Sequence, residues 1–161
     1  MTPERRIAAA FRMDEAAWAR HANPWSGWTR LPSLPLLALA AWSRAWIGWW
    51  ALPAVAAVLA WIWVNPRLFP PPRRMDAWMT RAVLGERIWL ARDAVPVPLR
   101  HRRIPNILTG ANVAGVAVAA YGLAVLDPWA TVFGVAIATL AKMWFLDRMV
   151  RLHHDMTKDT E

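Results

Sequence analysis

Long apolar stretches alternate along this chain with short polar or proline-rich interruptions, and their lengths predict helices. Leu31 to Val64 is 34 residues with a single charge, Arg44. One membrane-crossing helix takes ~20 residues, so two shorter helices are expected there, Leu31 to Trp42 and Ile47 to Val64. They turn at Ser43-Arg44-Ala45, and Pro53 is expected to kink the second. The first is short for a ~30 Å hydrocarbon core and is expected to be partly re-entrant or to thin the bilayer locally. Asn106 to Leu126 is a 21-residue run without charge, and Trp129 to Leu146 is broken only by Lys142. Asp127 as N-cap and Pro128 in the first turn start this last helix.

The remaining segments are polar. In Met1 to Arg30, Thr2 is placed as an N-cap and Pro3 at the first helical position. Ile7, Phe11 and Trp18 form a narrow apolar stripe flanked by Arg5, Arg6, Arg12 and Arg20, the mark of an amphipathic helix ending at His21-Ala22-Asn23-Pro24. Asn65 to Phe69 followed by Pro70-Pro71-Pro72 reads as a non-helical linker. Met75 to Arg92 returns to helical spacing, with Asp76 as its cap and Val95-Pro96-Val97-Pro98 beyond its end. Ala38-Leu39-Ala40 offers a signal-peptidase spacing, but the charged segment before it is too long for an ordinary n-region.

The expected fold is therefore all-α: a four-span transmembrane bundle of two hairpins with N-terminal and central amphipathic interfacial helices. It forms a single membrane domain over residues 1–161. Its parts are an N-terminal helix (1–30), a first hairpin (31–64), a linker with the interfacial helix (65–105), a second hairpin (106–147) and a tail (148–161). Composition agrees. Of the 161 residues 57% are hydrophobic, against ~45–50% in soluble domains. The absence of cysteine excludes disulfides, cysteine zinc sites and thiol catalysis.

Charge sets the topology. Five of the 19 basic residues precede the first span, nine lie from Arg67 to Arg103 and three follow Leu146. Arg44 alone occupies an opposite loop. Positive loops stay cytoplasmic, so an even number of spans with both termini inside satisfies every segment. Ten of the thirteen tryptophans fit the same scheme. Trp42, Trp46, Trp49, Trp50 and Trp129 fall at the outer ends, and Trp25, Trp28, Trp61, Trp63 and Trp144 near the inner ends, where indole rings anchor at headgroup level. Basic residues that flank spans in this way explain the net charge of +8 without nucleic acid; anionic lipid headgroups are the partners it expects.

Two positions stand out chemically. A cation inside a span needs a partner, a pathway or a route for snorkelling. Lys142 shares a small-residue face with Ala130, Gly134 and Ala138, opposite Ala111, Gly115 and Ala119. If the hairpin turns between Asp127 and Pro128, Val113 lies level with Lys142, and Asn112 is its expected polar neighbour, with Thr109 one turn further in. Glu86 falls in the apolar arc of Met75 to Arg92. Two readings stay open: Gly85 resets the helix face and Glu86 bonds an arginine such as Arg87, or Glu86 docks against the bundle, where Lys142 or an arginine neutralises it. His21, His101, His153 and His154 all lie outside the spans, which excludes a transmembrane bis-histidine haem. No hydrolase, zincin or phosphate-loop motif is present, and neither a metal nor another cofactor is expected.

The segments Arg20-His21-Ala22-Asn23-Pro24-Trp25-Ser26 with Trp28-Thr29-Arg30, Asn65-Pro66-Arg67-Leu68-Phe69-Pro70-Pro71-Pro72, Leu84-Gly85-Glu86-Arg87 with Trp89, and Trp144-Phe145-Leu146-Asp147-Arg148-Met149 carry a resemblance. The chain resembles, over nearly its whole length, a group of small tryptophan-rich prokaryotic membrane proteins that form a domain of unknown function. That likeness implies no particular activity, cofactor or substrate; the inner (cytoplasmic) membrane is the location expected from the charge distribution. It directs attention to His21, Asn23, Asn65, Arg67, Glu86, Arg87, Asp147 and Arg148, which are either one polar site at the cytoplasmic interface or a set of caps and salt bridges. The function expected first is a structural or accessory component that packs with its own copies or a larger membrane complex. The alternative is an enzyme or binding protein for a lipid or isoprenoid headgroup, with Arg67, Glu86, Arg87, His21 and His101 around an apolar groove. A small oligomeric transporter comes third.

Overall fold

The computed structural model describes residues 15–158, so the expected Thr2 cap, the Pro3 start, Ile7 and Phe11 lie outside the described residues. Among the described residues every regular element is helical. Short helices α1 (Glu15–His21) and α2 (Pro24–Arg30) lead into α3 (Ser33–Trp42), a single turn α4 (Arg44–Ile47) and α5 (Ala51–Leu68). A linker then precedes α6 (Trp78–Leu90), and α7 (Arg103–Val125) and α8 (Pro128–Lys158) complete the chain. Three stretches are long and apolar enough to cross a membrane: Pro24–Leu68, Leu99–Val125 and Pro128–Lys158. Within the first, α3 packs back against α5. The 31 residues of α8 reach ~46 Å at ~1.5 Å per residue, beyond a ~30 Å hydrocarbon layer.

Prolines act differently here from the sequence expectation. The turn expected at Pro24 holds the start of α2: Asn23 accepts a hydrogen bond from the Trp25 amide at 2.9 Å, and Pro24 takes the first helical position, where its missing N–H is not needed. Pro53 lies in the first turn of α5, where the same argument removes the reason for a kink. Asn65 and Pro66 were expected in the linker, yet α5 runs through them to Leu68. Pro66 forfeits one backbone bond in the last turn, and the buried Asn65 beside it is tied to α2, which holds the helix wound. Asp76 caps nothing; it pairs with Arg74 at 3.0 Å, and Ala77 stands at the α6 cap.

The α7–α8 pair makes the most extensive contact in the molecule. Small residues allow it: a Cβ on Gly115 would stand 2.6 Å from the Ala138 nitrogen, and one on Gly134 would stand 2.3 Å from that of Ala119. Gly122 meets Thr131 in the same register. This centres the turn between Leu126 and Asp127, one residue before the expected place, and sets Ala111 rather than Val113 level with Lys142. The cause is local. Leu126 adopts a left-handed conformation (φ 57°) that ends α7, and Asp127 Oδ1 accepts from the amides of Trp129 and Ala130 at 2.9 and 3.1 Å to begin α8.

The packed core lies toward one end of the bundle. Trp89 of α6, Val97, Leu108 of α7 and Phe145, Met149 and Leu152 of α8 form its main cluster. Met79, Ala82 and Leu146 form a second, with Leu31, Trp78 and Val150 against it. At the opposite end the Arg44 guanidinium donates to the carbonyls of Leu123 and Ala124, the latter at 2.9 Å. A cation on the last carbonyls of α7 is favoured by the helix dipole. It puts the α3–α5 connection beside the α7–α8 turn.

Candidate functional site

Two of the four motifs that carry the resemblance meet each other. Asn65 of α5 is fully buried; its Oδ1 accepts from Ser26 Oγ at 2.9 Å, and its Nδ2 donates to Thr29 Oγ1 at 2.8 Å. Trp61 Nε1 donates to the Thr29 carbonyl at 3.3 Å, and Asn23 Nδ2 to the Pro70 carbonyl at 2.9 Å. Thr80 Oγ1 donates to the Ala22 carbonyl at 2.8 Å, bringing α6 onto the same corner. Through these bonds Asn23 and Asn65 fasten α2 to α5 and the linker. Asn65→Ala leaves Ser26 and Thr29 without their acceptor and donor, and is expected to cost about 1–2 kcal/mol, measured as a lower unfolding midpoint in detergent.

That corner positions a charged knot. In α6, Gly85 lies against the backbone of Met149: a Cβ there would stand 1.9 Å from the Met149 carbonyl oxygen. This close crossing presents the next residue, Glu86, to α8, where its Oε1 accepts from Lys142 Nζ at 2.8 Å. Lys142 Nζ also lies 4.9 Å from the centre of the Phe145 ring. The Arg30 guanidinium, at the end of α2, donates to His21 Nδ1, and both residues line the same cavity as Glu86 and Lys142. Burial opposes the Glu86 charge, but the charge and hydrogen bond of Lys142, with Arg30, outweigh it and hold the carboxyl below its usual range. Burial and then Arg30 push His21 down to about 3. With His21 neutral, Arg30 and Lys142 exceed Glu86 by one positive charge.

These groups form one wall of a cavity of about 490 Å³. The other walls are apolar, from Leu34, Leu37, Ile62, Val83, Val116 and Leu146. Ser33 Oγ and Thr139 Oγ1, on two of its lining residues, are buried without a hydrogen-bond partner. Such hydroxyls ordinarily find one. Thr139 also lines a second, mainly apolar groove of about 740 Å³ between α3 and α8, with Leu39, Trp42, Val132 and Leu140.

The expected Lys142–Asn112 pair does not form. Asn112 lines the cavity but donates to the Ala138 carbonyl at 2.8 Å, while Lys142 takes Glu86, because the turn at Leu126 shifts the register. Nor do the eight interface residues converge. His21 and Glu86 meet, and Asn23 and Asn65 share the separate network just described. Arg67 lies over the Trp63 ring at 4.4 Å. Arg87 donates to Glu15 at 2.8 Å rather than to Glu86. Asp147 pairs with Arg151 at 3.2 Å, and Arg148 lies 6.0 Å from the Trp144 ring. His101 is bonded to Asp155 at 2.9 Å, away from the cavity. Arg30, Ser33 and Thr139 escaped the sequence reading. Only Arg30 carried a signal, as the last cation before the longest apolar stretch.

Acidification tests the His21 geometry. Its folded-state pKa lies below the ordinary 6.5, so below that pH the unfolded chain binds a proton that the folded chain refuses. Stability is expected to fall as pH drops from 6.5 towards 3, with Glu86 adding to the loss only below about 4.5. Unfolding midpoints at pH 7 and pH 5 measure it, and His21→Asn should flatten the difference.

Fold and site together define, among the described residues, an all-helical protein with apolar stretches long enough to cross a membrane and an ionic cluster on a half-open cavity. Residues 2–161 match the family of unknown function DUF6653, and the chain belongs to that family. No curated protein and no solved structure matches it.

Proposed function

We propose that this protein is a four-span membrane protein that binds an amphiphile at the cytoplasmic leaflet. The polar head sits at His21, Arg30, Glu86 and Lys142, and the apolar tail lies among α3, α7 and α8. One observation carries the reading: the Glu86–Lys142 ion pair stands at the wall of a cavity otherwise lined mainly by hydrocarbon side chains. Two unpartnered hydroxyls at the same cavity and the adjoining apolar groove support it. The single excess cation favours an anionic or strongly dipolar head over a cationic one.

For the four spans, the support is the packing of α3 on α5 and the Arg44 bond to the end of α7. Together with the arginine distribution they favour cytoplasmic termini in an inner membrane. The structural or accessory role draws less support, since Gly115, Gly122 and Gly134 are used within the α7–α8 pair and are not free for a partner helix.

Native mass spectrometry of protein extracted in mild detergent tests the binding reading. A narrow set of amphiphile masses is expected on the wild type and should be lost in Leu37→Trp, which fills the cavity without touching the ionic groups. A wild-type chain that flies bare under conditions that retain lipid on other membrane proteins would remove the proposal.

A further inference from the structure

A different pocket, sharing no lining residue with the cavity above, lies where the turn Leu99–His101, the start of α7 and the C-terminal half of α8 meet α6. Its volume is about 560 Å³. Arg81, Arg100, Arg148 and Arg151 line it, with Asp155 as the single acid. That acid is already shared by Arg100 at 3.1 Å and His101 at 2.9 Å. Asp147 outside the pocket holds Arg151 at 3.2 Å. Among the described residues neither Arg81 nor Arg148 has a carboxylate within ion-pair distance. Arg148 Nε is moreover buried without any hydrogen-bond partner.

Four guanidinium groups around one pocket repel each other, and a buried N–H without an acceptor is destabilising in its own right. Counting Asp147 as well as Asp155, the surplus is two positive charges. A tetrahedral oxyanion answers both features, since its several oxygens accept from guanidinium forks in a geometry that a chloride ion does not offer. His154 and the apolar side chains of Ile104, Pro105 and Val150 complete the lining. We propose that this pocket binds a phosphate group, carried on an anionic lipid or free, with Arg81 and Arg148 as its principal ligands. Arg100 and Arg151, already tethered by their acids, form the surrounding positive field.

The test uses the full-length protein, delipidated in neutral detergent and titrated with phosphatidylglycerol, phosphatidylcholine or inorganic phosphate, with binding read by native mass spectrometry. Phosphatidylglycerol is expected to bind more tightly than phosphatidylcholine. Arg81→Gln/Arg148→Gln should weaken it about tenfold or more, the scale of losing charge-assisted contacts. Arg73→Gln/Arg74→Gln removes the same charge from the exposed linker and should change binding by less than about threefold, since remote charges are screened. Competition by inorganic phosphate assigns the site to phosphate itself; its absence, with phosphatidylglycerol still bound, assigns it to the lipid. Equal losses in the two double variants, or equal affinity for the two lipids, would overturn the proposal. If the glutamine pair does not fold, the wild type still decides. A headgroup-photoreactive phosphatidylglycerol should label segments 99–105 and 148–155, and labelling confined to other segments counts against the site. Leu37→Trp, which tests the other cavity, should leave this binding unchanged.

Discussion

Lys142→Met is expected to lower the stability of the purified protein by about 2–4 kcal/mol, and Glu86→Gln by clearly less. The asymmetry follows from the two groups. Removing the ammonium leaves a carboxylate on an inner helix crossing without its main partner, and that carboxylate must either stay charged in poor solvent or take up a proton. Removing the carboxylate leaves a long flexible stem that can carry its charge toward the headgroups. The pair is only partly enclosed, with 43% of the Lys142 side chain and 23% of that of Glu86 accessible, so the expected loss lies below that of a fully enclosed pair. The double variant Glu86→Leu/Lys142→Met is expected to be near neutral, because it removes both desolvated charges at once. Unfolding midpoints of the four proteins in one detergent give the coupling. Additive single and double effects would show that the 2.8 Å contact contributes nothing to stability.

Gly85→Ala is the second large effect. The added methyl carbon would stand 1.9 Å from the Met149 carbonyl oxygen and 2.6 Å from its carbon. Backbone atoms of a packed helix cannot rotate aside as a side chain would. The crossing of α6 and α8 must therefore open, disturbing the cluster of Trp89, Phe145 and Met149 and the approach of Glu86 to Lys142. The expected cost is about 3 kcal/mol or more, at the upper end for overpacking. Gly110→Ala is the contrast within the same molecule. It lies in α7 with nothing within 4 Å of the added carbon, so helix propensity alone acts and a gain of roughly 0.5–1 kcal/mol is expected. Circular dichroism melts of both variants check the pair, and similar losses in both would contradict the close crossing.

The apolar stretches were legible because hydrocarbon length needs no tertiary information: the break between α7 and α8 follows from Asp127 and Pro128, while α7 starts at Arg103 rather than Asn106 and α8 runs on through the expected tail to Lys158. Prolines were harder. Pro24 and Pro53 sit where a helix begins, and Pro66 survives in the last turn of α5 beside an amide that α2 holds from 36 residues away, so the local signal reads as breakage where the distant bond preserves winding. The site was visible as two anomalies, Glu86 and Lys142, whose pairing across 56 residues was one of two readings that the helix wheel left open. Asn112 was selected by a depth argument that a left-handed Leu126 displaced. Nothing in the sequence marked Ser33 and Thr139, and Arg30 was marked only by its place before the longest apolar stretch, since the three gather only when α2, α3 and α8 pack. The motifs Asn23 to Thr29 and Asn65 to Pro70 now have a structural explanation: they are two halves of one fastening.

The contact of Arg44 with the end of α7 has a consequence in time. Its acceptors, Leu123 and Ala124, leave the ribosome about eighty residues later, which at ~5–20 residues per second is several seconds of synthesis. During that interval the guanidinium lacks these two acceptors. The far edge of the protein therefore stays open until late in synthesis, closing only ahead of the contacts that need Lys142 and Met149, and a nascent chain arrested before Leu123 carries an open seam between its two apolar halves.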